Sequence, residues 1–190
     1  KERDWALPPG CKVTESFDDV LDDDSIGLVV EVMGGTTLAK DVVFKALRAG
    51  KDVVTANKAL IAAALTEIEA VVDEVNADKT TPVNFGYEAA VCGGIPIIHA
   101  LQNDFVGDDV TRLRGIMNGC MNFMLTKMEA EGLSYGDCLD EASALGYAEE
   151  DPTLDVGGFD ARSKLAILIR LAFGADVDEE KIAIRGIEAL

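Results

Sequence analysis

A lysine and two carboxylates near the end of the sequence could carry out proton transfer. Asp160 and Lys164 have the i, i+4 spacing that places two side chains on one face of a helix. Glu149 lies just upstream, in the loop 146–152. A desolvated lysine beside carboxylates can donate and accept protons in catalysis. The pattern indicates an acid–base site, and the alternative is an ordinary salt bridge on a solvated helix face.

A second lysine, Lys58, stands where a strand pattern ends and a helix pattern begins. A cation is unfavourable there because the amino terminus of a helix carries a partial positive charge. The position therefore favours a role outside the helix, such as binding a cofactor phosphate or a substrate carboxylate. The alternative is a plain surface lysine.

The glycine-rich stretch 88–95 follows another strand pattern. Its glycines could let the backbone approach a cofactor closely, or let carbonyl oxygens converge on a cation. The alternative is a tight connection between two domains.

The elements that must position these residues alternate between strand and helix in the first half. The predicted strands are 26–32, 52–55 and 83–87, and the predicted helices are 16–23, 37–49 and 58–77. Apart from Glu31, the run 26–32 is apolar, which is typical of a strand buried on both faces. This alternation predicts a doubly wound parallel sheet, with ligands bound beyond the carboxyl ends of its strands.

The second half has a different pattern. It predicts helices at 95–101, 122–131, 135–145 and 159–173 and strands at 110–117 and 182–187. The change near residue 90 predicts an α/β protein with two parts: a partial Rossmann-like domain over 1–90 and an α+β domain over 91–190.

Composition excludes several classes of function. With 35 acidic and 17 basic residues, the net charge of −18 argues against binding nucleic acid or an anionic membrane. The four cysteines form no CxxC pair and there is one histidine, which argues against a zinc site of the alcohol dehydrogenase kind and favours a reducing compartment. No apolar run is long enough to span a bilayer, and the first five residues do not resemble a signal peptide.

Five stretches together resemble the homoserine dehydrogenase family, in its monofunctional form. They are 30–35 (VEVMGG), 53–58 (VVTANK), 87–96 (YEAAVCGGIP), 115–123 (GIMNGCMNF), and 146–152 (GYAEEDP) with Asp160 and Lys164 after it. Each stretch is weakly specific alone, but their order and spacing are highly specific and cover most of the chain. The resemblance implies NAD(P)-dependent interconversion of L-homoserine and L-aspartate 4-semialdehyde, in the biosynthesis of threonine, methionine and isoleucine.

The resemblance also implies roles for individual residues. Lys164 would transfer the proton and Lys58 would assist near cofactor and substrate. Glu149 and Asp160 would bind the substrate, with Glu149 facing its ammonium group. Gly34 would touch NADP or NAD near the nicotinamide.

A bound monovalent cation, sodium or potassium, is a further implication. Its ligands would be mainly backbone oxygens, from Glu88, Val91, Gly93 and Ile95. The resemblance further implies a small-molecule substrate, a homodimer or homotetramer with residues 115–122 near the interface, and the cytoplasm or an organellar stroma as compartment.

Two departures from the family pattern stand out. Cys120 and Met121 occupy positions where the family usually has small hydroxyl residues. The Gly-x-Gly-x-x-Gly phosphate loop of dinucleotide domains is absent, so we expect a central fragment that lacks this loop and the family's closing segment. The alternatives are therefore a non-catalytic assembly fragment of the family, or a dehydrogenase of the same architecture acting on another amino acid.

Overall fold

The computed structural model describes residues 7–78 and 80–188, and its first half is built on a parallel sheet. The strands are β1 (Leu28–Glu31), β2 (Asp52–Thr55) and β3 (Phe85–Gly86), paired in the order β1-β2-β3. Val29 is in register with Val53, which is in register with Phe85. The predicted α/β class and the three strands predicted in the first half are confirmed, and the amino-terminal residues 1–6 lie outside the described part.

Eight helices have defined bounds within the described residues. They are α1 (Asp18–Leu21), α2 (Thr37–Arg48), α3 (Lys58–Asn76), α4 (Ile97–His99), α5 (Gly119–Glu131), α6 (Tyr135–Ala144), α7 (Thr153–Val156) and α8 (Phe159–Phe173). Single 3-10 turns cover Glu88–Ala90 and Glu179–Lys181, and a π turn, Ala100–Asp104, continues α4. The predicted helices α2, α3, α6 and α8 match the structure to within a residue or two, whereas α7 was not predicted.

The main core lies between one face of the sheet and helices α2 and α3. The apolar face of α3 supplies six buried residues: Leu60, Ile61, Ala64, Leu65, Ile68 and Val71. Each large aliphatic side chain buried in this way contributes about 1.5–3 kcal/mol. Burial of β1 on both faces is wrong for the described residues, because Leu28 and Val30 are 50% and 60% exposed and only Val29 and Glu31 point into the core.

Helix α8 joins the second half of the chain to this core. Its buried residues Ile167 and Leu168 belong to the same apolar cluster as Val53 and Ile68. The helix ends at Gly174, whose φ of 65° is in the left-handed region that glycine tolerates best. The sheet domain and the second half are therefore in direct contact through α3 and α8.

Two ion pairs indicate that α3 and α8 run in the same direction. Lys58 pairs with Asp160 at 2.8 Å, and Glu69 pairs with Arg170 at 2.6 Å. Lys58 and Glu69 are about 16 Å apart along α3, and Asp160 and Arg170 are about 15 Å apart along α8. Because the two spacings match, the second pair keeps the helices in the register that the first pair requires.

We expect Arg170→Met to lower the free energy of unfolding by about 1 kcal/mol, since it removes a partly buried cation with two carboxylate partners, Glu69 and Asp176. Urea denaturation at low salt measures this change, and the loss should shrink at high salt. Arg48→Met is the matched control, because Arg48 joins α2 to Glu74 of α3 through a longer, exposed pair of 3.6 Å. An equal loss in both variants would contradict the prediction.

A second, smaller core lies among α5, α6 and α7. Its buried members are Cys120, Met124, Cys138, Ala142, Ala148, Val156 and Ile187. Ser134 caps α6, since its hydroxyl accepts from the Asp137 N–H at 3.2 Å. Ile187 is held to this core by its N–H, which donates to the Val156 carbonyl at 3.0 Å.

The two strands predicted in the second half are wrong within the described residues. Neither 110–117 nor 182–187 pairs with another strand of the described residues. A strand needs a neighbouring segment whose backbone N–H and C=O groups pair with its own, and none is present there within the described part of the chain. The first helix is shorter than the predicted 16–23: α1 begins at Asp18 after Phe17, and Ser16 lies before it and donates its N–H to the Thr14 hydroxyl at 3.0 Å.

Across the described residues, none of the helices combines the length and the apolar character that crossing a membrane requires.

Candidate active site

Three charged side chains from distant parts of the sequence meet beyond the carboxyl end of the sheet. The two oxygens of Asp160 bind different lysines: Oδ1 lies 2.8 Å from Lys58 Nζ, and Oδ2 lies 2.8 Å from Lys164 Nζ. The structure thus brings together three of the predicted site residues. The predicted i, i+4 contact is confirmed, and it forms part of a two-lysine cluster instead of a lone surface pair.

Local structure explains the positions of the two lysines. Lys58 is the first residue of α3, and the preceding Asn57 caps that helix by accepting from the Leu60 N–H at 3.1 Å. Asp160 is the second residue of α8, which follows Gly158 in a left-handed conformation (φ 85°). Lys164 lies one turn further along α8, so its ammonium group returns to the same carboxylate.

Asp160 is the buried centre of the cluster, with an exposed fraction of 5% against 16% for Lys164 and 41% for Lys58. Burial raises the pKa of the Asp160 carboxyl, but hydrogen bonds from Lys164, Lys58 and Asn118 lower it by more. The pKa therefore lies below its ordinary value of 3.8. The carboxylate is held ionised between two cations, and this fixes the position of both.

Asn118 is a site residue that the sequence analysis missed. Its side-chain amide donates to Asp160 Oδ2 at 2.9 Å and to Asp155 Oδ1 at 2.6 Å. Its amide oxygen accepts from the Met121 N–H at 2.8 Å and so caps α5. An asparagine before a helix is a capping signal. The signal was missed because the helix was predicted to begin at 122, whereas α5 begins at Gly119.

Lys164 also borders an open cleft of about 360 Å³. The cleft is lined by Cys92, Gly93, Ile95, Ile116, Met117, Asn118, Gly119, Asn122 and Lys164. The Lys164 ammonium donates to the Met117 carbonyl at 2.8 Å and to Asp160. Because an ammonium group has three N–H donors, one remains for an oxygen of a molecule in the cleft.

Glu149 is not in contact with this cluster. It is exposed in the loop after α6, and within 7–78 and 80–188 its carboxylate makes no hydrogen bond or ion pair. Its neighbour Tyr147 stacks against Phe123 of α5, with ring centroids 5.0 Å apart. A role for Glu149 toward a substrate ammonium stays a prediction.

The loop after β1 contains Gly34, the residue predicted to touch a nicotinamide cofactor. Gly34 and Gly35 both have left-handed backbones, with φ of 79° and 71°. A Cβ added at either position would meet no atom within 4 Å, so the loop has an open side. The backbone of this loop is therefore open to a ligand at the carboxyl edge of the sheet, and the contact of Gly34 with a nicotinamide stays a prediction.

In the stretch 88–95, predicted to bind a cation, the Glu88 carboxylate is already hydrogen-bonded to the backbone. Glu88 accepts through its carboxylate from the backbone N–H groups of Ile98 at 2.9 Å and His99 at 2.7 Å. The described His, Cys, Asp and Glu side chains form no group of three that could hold a metal ion. A cation here would therefore depend on carbonyl oxygens, as the resemblance implies, and this stays a prediction.

Cys120 and Met121, the two departures from the family pattern, lie in the first turn of α5. Cys120 is buried, with its sulfur 3.8 Å from the sulfur of Met124, and burial raises the pKa of its thiol. Cys120 therefore acts as a small core side chain and not as a hydroxyl-like group facing the cleft.

The stability of this site should depend on acid pH through Asp160. The folded pKa is below the unfolded value, so the contribution of Asp160 is complete above the unfolded pKa and is lost as pH falls through the folded pKa. We expect the advantage of the wild type over Asp160→Asn, measured by urea denaturation, to shrink from about pH 5 to about pH 3. Asp41→Asn, which breaks an exposed i, i+4 ion pair with Lys45, is the matched control.

Two family models match the chain, one over each half. The model described as "Homoserine dehydrogenase" matches residues 96–190, which is half of the chain. The model described as "Homoserine dehydrogenase, NAD binding domain" matches residues 1–81.

Individual relatives agree with these matches. Homoserine dehydrogenase of Pseudomonas aeruginosa is 46% identical over 94% of this chain and 40% of its own length, and that of Lactococcus lactis is 45% identical over 92% and 40%. The solved homoserine dehydrogenase of Thiobacillus denitrificans superposes with a TM-score of 0.86 at 43% identity, over 95% of this chain and 41% of that one. The chain thus spans about two fifths of the length of the relatives it matches.

Proposed function

Since this chain belongs to the homoserine dehydrogenase family, we propose that the full-length protein interconverts L-homoserine and L-aspartate 4-semialdehyde with NAD(P). The observation that carries the proposal is the Lys58–Asp160–Lys164 cluster beside an open cleft. A cluster of this kind can bind and protonate an oxygen of a small substrate. Its position beyond the carboxyl ends of parallel strands is where such sheets bind their ligands.

Lys164 is the proposed proton donor and acceptor. Its third N–H is directed to the substrate oxygen while Asp160 and the Met117 carbonyl hold the other two. In reduction Lys164 gives its proton to the aldehyde oxygen as that oxygen becomes a hydroxyl, and in oxidation the lysine takes it back. The nicotinamide, when bound, supplies or accepts the hydride at C4 of the substrate.

Lys58 and Asp160 are proposed to prepare the site. Lys58 is more exposed than Lys164 and uses one N–H on Asp160, so its others remain for a cofactor or substrate oxygen. Asp160 holds both lysines, and its contact with the substrate is secondary to that role. Glu149 is proposed to reach the substrate ammonium from its exposed loop.

The cofactor is proposed to be NADP or NAD, with Gly34 beside its nicotinamide. The open, left-handed backbone at Gly34 and Gly35 supports this placement. So does a hyperthermophilic archaeal homoserine dehydrogenase solved in complex with NADPH, which superposes over 85% of this chain with a TM-score of 0.73 at 31% identity. A sodium or potassium ion is proposed at the backbone oxygens of Glu88, Val91, Gly93 and Ile95.

The remaining proposals concern the organisation of the protein. The division into a cofactor domain (1–90) and a substrate and dimerisation domain (91–190) is supported by two family models that end and begin on either side of residue 90. A homodimer or homotetramer, and action in the cytoplasm or an organellar stroma, are proposed from the family resemblance alone.

The test is an assay of the full-length protein, in which L-aspartate 4-semialdehyde is added with NADPH or NADH and absorbance at the nicotinamide band is followed. We expect substrate-dependent oxidation of the cofactor and formation of homoserine, identified by chromatography. Cofactor oxidation without homoserine would assign another substrate, and no oxidation would refute the proposal.

A further inference from the structure

Glu31, the last residue of β1, is buried although no step of the proposed reaction uses it. Its exposed fraction is 2%, and within 7–78 and 80–188 it forms no ion pair. Glutamate is almost never buried to this extent without partners. Its partners are two hydrogen-bond donors: the Met33 N–H at 2.7 Å from Oε1 and the Thr55 hydroxyl at 2.6 Å from Oε2.

These bonds continue from β1 to the start of α3. The Thr55 oxygen, which donates its proton to Glu31, accepts from the Asn57 N–H at 3.0 Å. The Asn57 amide group donates to the Gly35 carbonyl at 2.7 Å, while its oxygen caps α3 at Leu60. The loop 33–35 is therefore anchored at both ends, by Glu31 at Met33 and by Asn57 at Gly35.

We propose that Glu31 is a positioning residue that, through Thr55 and Asn57, couples the Gly34–Gly35 loop to Lys58 as one rigid unit. Lys58 directly follows Asn57. A shift of the Gly34–Gly35 loop would therefore also move Lys58, and a shift at Asn57 would also move the backbone proposed to contact the nicotinamide. The inference rests on the proposed function in one respect: it takes the ligand of the Gly34–Gly35 loop to be a nicotinamide nucleotide.

The side chain at position 31 must accept a hydrogen bond through each of its two terminal atoms. The Met33 N–H and the Thr55 hydroxyl both donate to Glu31, and the Asn57 N–H fixes the direction of that hydroxyl, so the group at position 31 must accept twice. A glutamine would have the same shape but would turn an N–H₂ group toward either the Met33 N–H or the Thr55 hydroxyl. One donor would then lose its acceptor, and the change is costly at the Thr55 hydroxyl because its bond to Glu31 is buried.

The test compares four variants of the full-length protein: Glu31→Gln, Thr55→Val, Thr55→Ser and Asp52→Asn. Thr55→Val removes the hydroxyl at nearly constant shape, and Thr55→Ser restores it. Asp52→Asn is the matched control, because Asp52 also fixes a backbone N–H, that of Asn84 at 2.7 Å, but at the opposite end of β2. Amide hydrogen exchange and the KM values for NADPH and for L-aspartate 4-semialdehyde are measured for each.

We expect Glu31→Gln and Thr55→Val to accelerate exchange in both 33–35 and 57–60. They should raise the KM for NADPH about tenfold, the equivalent of one lost hydrogen bond, with a smaller effect on the KM for the semialdehyde. Thr55→Ser and Asp52→Asn should keep wild-type values in both segments.

Three results would overturn the inference. The first is faster exchange in 33–35 alone, which would show that the two loops are not coupled. The second is coupled exchange with an unchanged KM for NADPH, which would deny the positioning role. The third is a rise in the KM for NADPH in Asp52→Asn equal to that in Glu31→Gln. It would show that any loss of stability in the sheet raises this KM, without a specific role for Glu31. If the wild type does not turn over the semialdehyde, the proposed function fails, and the exchange data still decide the coupling.

Discussion

Replacing Lys164 by alanine in the full-length protein is expected to lower kcat by about 10²–10⁴-fold, the range for loss of a general acid–base group. The fold should survive, because Asp160 keeps Lys58 and Asn118 as partners. Steady-state assays in both directions measure the loss, and circular dichroism checks the fold.

The matched control for Lys164→Ala is Lys45→Ala. Lys45 also forms an i, i+4 ion pair of 2.8 Å with an aspartate, Asp41, but on an exposed face of α2. We expect this variant to turn over at the wild-type rate. A wild-type rate in Lys164→Ala as well would remove the lysine from the reaction.

Replacing Asp160 by asparagine is expected to damage both activity and stability. Without the carboxylate, the ammonium groups of Lys58 and Lys164 would face each other across a neutral amide and repel. We expect kcat to fall about 10²-fold or more. The free energy of unfolding at pH 7 should fall by roughly 2 kcal/mol, less than for a fully buried pair because Lys58 is partly exposed.

Asp41→Asn separates the role of the cluster from that of an ordinary helical ion pair. It breaks a pair of the same spacing and length, but an exposed one, and should change stability by about 0.5 kcal/mol or less. Comparable losses of stability and rate in the two variants would contradict a special role for Asp160.

The sequence was sufficient to predict the elements that depend on local patterns. Buried strands and amphipathic helices have distinct periods, so β2, α3 and α8 were predicted closely. The contact of Asp160 with Lys164 also followed, because i, i+4 spacing within one helix fixes it.

The features that local sequence patterns did not predict depend on contacts between segments that are distant in the sequence. The meeting of Lys58 with Asp160 follows from the parallel packing of α3 on α8, which no local pattern encodes. The role of Asn118 depends on side chains from α7 and α8. The burial of Glu31 depends on Thr55 of the neighbouring strand, and the apolar run around Glu31 gives no reason to expect a buried carboxylate.

The central claim, that the Lys164 amine transfers the proton, is tested most directly by chemical rescue. Full-length Lys164→Ala is assayed for homoserine oxidation at fixed pH with rising concentrations of ethylamine, which can enter the cleft where the lysine side chain was. Our account predicts that turnover rises with amine concentration and that Lys45→Ala does not respond. Turnover of Lys164→Ala that stays at its low rate at every amine concentration, or that matches the wild type without amine, would contradict it.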